Sequence, residues 1–171
     1  MVQLVLTEPP TAHPLTDFFG SLWLQNLILA VTAIIGLWSY ILSSRHERRR
    51  ATVDVLLQTL NDPDINAALD KMHDLVRKGL DIPRLLTGAG LDDRRILLAV
   101  LNRYEFMASG LKTGAFDRKV YKRMYYSSVV DDWRSLYSFV KAFRESRELR
   151  TVYQDFENLA NEWAINPLKK S

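Results

Sequence analysis

The sequence predicts an all-α protein: one N-terminal transmembrane helix followed by a cytoplasmic helical bundle of about five to six helices. Three observations carry this. Phe18 to Ser44 is a run of 27 residues without a charged side chain. Beyond it, apolar residues recur at helical spacing between Gly, Pro and Asx punctuation. Nowhere does a segment sustain the period-two alternation of a half-buried strand.

At ~1.5 Å per residue the apolar run makes a helix of ~40 Å, and roughly 20 residues already cross a hydrocarbon core. Trp23 near one end and Trp38 with Tyr40 near the other suit the two aromatic belts of a bilayer. Residues 1–17 ahead of it hold three prolines and two acids and no basic residue, which does not fit a signal peptide. Arg45, Arg48, Arg49 and Arg50 follow immediately. The positive-inside rule then puts the N-terminal arm outside and residues 45–171 in the cytoplasm, with the four arginines as an anchor on anionic headgroups of an inner (plasma) membrane. Thr32 and Gly36 share a small-xxx-small spacing that hints at a homo-oligomer.

No Gly or Pro interrupts residues 45–60, so the helix is predicted to continue through Val53, Leu56, Leu57 and Leu60. Asp62 caps a second helix with Pro63 at its first position, an apolar stripe of Ile65, Leu69, Met72 and Val76, and Gly79 at its end. A short turn of helix is placed at residues 83–86. Asp92 is taken as the cap of a third, central helix whose stripe is Leu97, Val100, Leu101, Tyr104, Met107, Ala108 and Leu111, closed by Gly110 and Gly114. Asp117 caps a fourth around Val120 to Tyr125, and a fifth carries Val129, Val130, Trp133, Leu136, Tyr137, Val140 and Phe143. Thr151 with Gln154 reads as a capping box for a sixth through Tyr153, Phe156, Leu159, Ala160 and Trp163.

All 23 Lys and Arg residues lie from Arg45 onward with 18 of the 20 acids, leaving the domain at +5. With no cysteine, disulfides, thiolate chemistry and cysteine-ligated zinc are excluded. Asp62-Pro63-Asp64-Ile65-Asn66 copies the opening of a calcium loop but has Ala67 where a turn glycine is needed and His73 where a bidentate Glu belongs. Asp70, His73 and Asp74 share a face best read as solvated. Asp92-Asp93 and Asp131-Asp132 are adjacent pairs that diverge by ~100° on a helix and are read as acids favoured near helix N-termini. No serine sits in a nucleophile framework, and no glycine loop has the Lys and Ser/Thr of a phosphate cradle. Asn102 and Glu105, three apart on the central helix, need partners if buried, and Arg144 is the predicted partner of Glu105.

Several pieces act together: Arg48-Arg49-Arg50-Ala51-Thr52-Val53-Asp54, Leu101-Asn102 with Glu105, Gly110 with Gly114, Trp133, Val140 to Arg144, and Tyr153, Phe156-Glu157, Leu159 and Trp163. In this set the chain resembles a family of small bacterial and prophage-encoded membrane-anchored proteins catalogued as a domain of unknown function, over Arg48 to Trp163. The resemblance implies a membrane-anchored helical domain and supplies no activity.

The sequence thus leads to a membrane-tethered protein-interaction or regulatory module, with no catalytic, cofactor or metal residues expected and a protein partner of unknown identity. Two alternatives stand beside it. One is a nucleic-acid binder using Arg48, Arg49, Arg50, Arg118, Lys119, Lys122 and Arg123; the other is an enzyme with an unfamiliar site at Asn102, Glu105 and Arg144.

Overall fold

The computed structural model describes residues 22–168, and within them every regular element is helical. The arm assigned to residues 1–17 lies outside the described residues. The chain divides into two compact units, Met1–Ser44 and Arg45–Ser171, so the boundary falls where the charged residues begin.

Helix α1, Leu22–Leu60, runs through that boundary without a break. It is the one helix among the described residues long and apolar enough to cross a membrane, and none of its most apolar window is buried. Within this window Thr32 donates its hydroxyl to the Ile28 carbonyl at 2.8 Å, so the polar group is satisfied inside its own helix. From Arg45 onward only Thr52 and Leu56 of α1 are fully buried; Val53, Leu57 and Leu60 of the expected stripe are exposed.

In the second unit, α2 (Pro63–Lys78) starts as expected, with Asp62 accepting from the amides of Asp64 and Ile65, and ends at Gly79 with φ +87°. The short α3 (Ile82–Leu86) and a 3-10 turn at Gly88–Gly90 lead into α4, Leu91–Thr113. Asp92 is not the cap of α4. Gly90 occupies that position, Asp92 and Asp93 lie in the first turn, and Asp93 pairs with Arg84 at 3.2 Å. The predicted stripe of α4 is its buried face, residue for residue. Gly110 lies inside α4 rather than ending it; a Cβ there would stand 2.3 Å from the Phe116 ring, so the glycine seats that ring. Gly114, at φ +76°, makes the left-handed cap.

The expected fourth and fifth helices are one, α5, Arg118–Arg147, capped by Asp117. No Gly or Pro divides them, and Ser127-Ser128 is too weak a break to end a helix whose flanks are both packed. Helix α6, Gln154–Ile165, buries Phe156, Leu159, Ala160 and Trp163. Phe156 lies fully buried, stacked on Tyr104 at 4.5 Å and edge-on to Trp133 at 5.0 Å, which ties α4, α5 and α6 into one core.

Candidate functional site

The polar residues singled out on α4 turn out to hold α6. Asn102, Glu105, Ser109 and Lys112 follow one another at helical spacing, and each reaches the start of α6. Tyr153 donates its hydroxyl to Asn102 Oδ1 at 3.0 Å. The amides of Asp155 and Phe156 donate to the two oxygens of Glu105 at 3.3 and 2.8 Å. Ser109 and Lys112 donate to Asp155 at 2.7 and 2.6 Å.

The expected Thr151–Gln154 capping box does not form: Tyr153 is the cap residue, in the left-handed region at φ +60°, and it provides no side-chain cap. Glu105 therefore satisfies from another helix the amides that a local cap would have taken. Burial first and the neighbouring Glu105 charge second push the Tyr153 hydroxyl up to about 12. The Lys112 and Ser109 bonds hold the Asp155 carboxyl below its ordinary range.

Arg144 is not the partner of Glu105. Its Nη1 bonds Glu157 at 2.8 Å and its Nε donates to the Val152 carbonyl at 2.8 Å, while Glu105 is already engaged by the amides of Asp155 and Phe156. Nη2 of Arg144 is buried without a hydrogen-bond acceptor. The sequence-predicted trio thus divides between two neighbouring joints of the same α6 segment.

A second polar cluster escaped the sequence reading. Asp132 is 6% exposed in the middle of α5, not at a helix start, and it accepts from Tyr104 at 2.5 Å while Oδ1 lies 3.1 Å from His73 Nε2. His73, expected on a solvated face with Asp70 and Asp74, instead connects α2 to α5. Burial, and then the Asp132 charge, raise the Tyr104 hydroxyl far above its ordinary range. His, Asp and Tyr in contact resemble a proton relay. The Tyr hydroxyl here is enclosed in the core, however, so the cluster acts as a tie among α2, α4 and α5.

A groove with mixed chemistry and a volume of about 360 Å³ lies between α5 and α6. Trp133, Arg134, Tyr137, Glu157 and Asn161 line it over a floor that includes Ala160. Tyr137, expected in the core, is 47% exposed here. Beyond Glu157, Arg144 also lines a larger open hollow of about 750 Å³ with Lys141, Glu145, Glu148 and Arg150. No group of three His, Cys, Asp or Glu side chains able to hold a metal occurs among the described residues.

The arginines expected to form a membrane-surface anchor are partly committed to the domain. Arg49 pairs with Asp117 at 3.0 Å and Arg50 lies 3.9 Å from Asp54. Two of the basic residues of the early α5 turns are similarly engaged: Arg118 pairs with Glu162, and Lys122 bonds the Asn166 carbonyl and lies over the Trp163 ring.

Neither the curated proteins nor the solved structures contain a match. A family described as Domain of unknown function (DUF4760) matches residues 26–163, a stretch that begins inside the apolar part of α1, upstream of the Arg48 start of the sequence resemblance. Covering well over half of the chain, from the apolar helix to the last buried tryptophan, this match shows that the chain belongs to the DUF4760 family.

Proposed function

We propose that the protein is a single-pass, membrane-tethered binding module of a bacterial inner membrane. The N-terminus lies outside, and the domain from Arg45 onward is cytoplasmic and recruits a protein partner through the α5–α6 groove. The groove is the observation that carries this reading. Trp, Tyr and Arg are the residues most enriched where binding energy concentrates, and here the exposed Tyr137 and Arg134 line one concave surface with Ala160 and the small accessible part of the largely buried Trp133. The uncharged run of α1 with arginines on its downstream side supports the tether and its orientation. The assignment carries no catalytic step. Nucleic-acid binding is the weaker reading, since Arg118 and Lys122 are turned onto α6.

A photo-crosslinking residue at position 137 of the full chain, in native membranes, tests the reading. One discrete adduct is expected, lost when Asn161→Arg fills the groove. Equal labelling from position 137 and from a control position at Arg77 would sink it. Extraction of the chain by alkaline carbonate, or protease access to its C-terminal domain from the outer side, would overturn the tether.

A further inference from the structure

A different surface of the second unit carries its own chemistry. A cleft of about 300 Å³ is lined by Arg45, Arg48, Arg49, Asp117, Arg118 and Lys119, five cations against one carboxylate. The basic residues come from two segments about seventy positions apart, so local sequence does not explain their meeting. Arg45, Arg48 and Arg49 occupy one face of α1 by their i, i+3 and i+4 spacing.

The meeting is built rather than incidental. Thr52, fully buried, donates to the Arg48 carbonyl at 2.7 Å and accepts the Asp117 amide at 2.7 Å, so one hydroxyl fastens this turn of α1 to the start of α5. Arg48 Nη1 lies 3.4 Å from where a Cβ on Gly114 would stand, against the left-handed turn that leads to Asp117. The single acid is already spent: Asp117 Oδ2 accepts from Arg49 Nε at 3.0 Å and Oδ1 accepts the amides of Lys119 and Val120. Arg118 is paired with Glu162 beside the cleft and Arg49 with Asp117, so five cations against these two acids leave a net charge of +3, carried by Arg45, Arg48 and Lys119. Like charges gathered this closely destabilise a fold unless an anion joins them.

We propose that this cleft is a binding site for a phosphoryl group, presented by the headgroup of an anionic phospholipid or by a free phosphate ester. The volume is at the small end of ligand sites, which suits a phosphate with a short substituent. Two or more guanidinium groups can grip its oxygens in bidentate fashion while Lys119 adds a point charge. Only the lipid source rests on the membrane reading; Arg45, the first charged residue after the apolar run, makes it the favoured one.

The test uses the full chain in non-ionic detergent, with native mass spectrometry of retained phosphatidylglycerol against phosphatidylcholine. The wild type and the control Arg77→Gln/Arg95→Gln, which removes the same charge from exposed pairs elsewhere, should retain the anionic lipid about tenfold better. Arg48→Gln/Lys119→Gln should bring the ratio close to one. Lys119→Glu alone serves if the double variant melts early, since it is the backbone amide of that residue, kept in the variant, that bonds the Asp117 cap.

Equal retention by site and control variants, or no anionic preference in the wild type, overturns the site. If phosphatidylglycerol is not held but inorganic phosphate raises the melting temperature of the wild type and not of the site variants, the phosphoryl assignment stands with a soluble source. A single-stranded oligonucleotide that displaces the lipid, and is itself lost in the site variants, overturns it in favour of nucleic acid. Carbonate extraction reports on the tether separately from any of these arms.

Discussion

Asp132 combines burial with two side-chain partners, the Tyr104 hydroxyl and the His73 ring, on a helix that otherwise buries aromatic and aliphatic groups. Removing it by Asp132→Ala leaves the Tyr104 hydroxyl enclosed without an acceptor, and a cost of about 1–3 kcal/mol is expected from the urea midpoint. Tyr104→Phe should cost less, because Asp132 then keeps His73. The double variant should lose clearly less than the sum of the two, as contacting residues do. Position 132 was within reach of sequence reading: it shares a face with Val129, Leu136 and Phe139, an acid inside an apolar stripe. What the sequence withheld was its partners, 28 and 59 residues away, because a contact across helices leaves no local signature.

Helix α6 depends on α4 for its first turn. Glu105→Ala should lower stability by about 1–2 kcal/mol, the range for a lost helix cap, and Glu105→Gln by less, since one carbonyl oxygen remains to accept. Thermal melts followed by circular dichroism would read both, and an unchanged melting temperature in Glu105→Ala would contradict the capping role. The location of Asn102 and Glu105 on the central helix was legible from the stripe beside them, and so was their need for partners. Their partners were not: those of Glu105 are backbone amides, which carry no residue identity, and that of Asn102 is the Tyr153 hydroxyl 51 residues away. The same limit explains Thr151 and Gln154: their spacing satisfies the capping-box pattern, yet the left-handed Tyr153 between them redirects the chain. Helix α5 shows the complementary case, where two apolar stripes on either side of Ser127-Ser128 belong to one continuous rod.

For the molecule as a whole, charge sets the acid limit of stability. Asp117 is held below its ordinary value: burial works against this, but the Val120 and Lys119 amides and Arg49 outweigh it, and Asp155 is held low by Lys112 and Ser109. A carboxyl depressed on folding contributes stability that is fully present above its unfolded value near 4 and lost as pH falls through the folded value. The denaturation midpoint should therefore hold from pH 7 to about 5 and fall below about 4. Asp155→Asn should be less stable at pH 7 and show a shallower acid decline. The division of the chain at Ser44 was legible from composition alone, because charge stops where the apolar run begins. The sequence also grouped Arg48, Arg49, Arg118 and Lys119 as basic candidates, but not their meeting in one cleft, because the contact of α1 with the start of α5 leaves no local signature.

The trans cap on α6 also orders events in time. Synthesis runs from the N-terminus, so α4 and α5 are complete before residues 154–165 leave the ribosome, and the carboxylate of Glu105 waits for amides about fifty residues downstream. Until they arrive, the slot between Tyr104 and Trp133 that Phe156 later fills is open to solvent. Loop closure over that distance costs entropy before it returns contacts, so docking of α6 is expected as a late step of folding. A nascent chain stalled before residue 154 would present an aromatic cleft to chaperones, and release from them would wait on twelve residues.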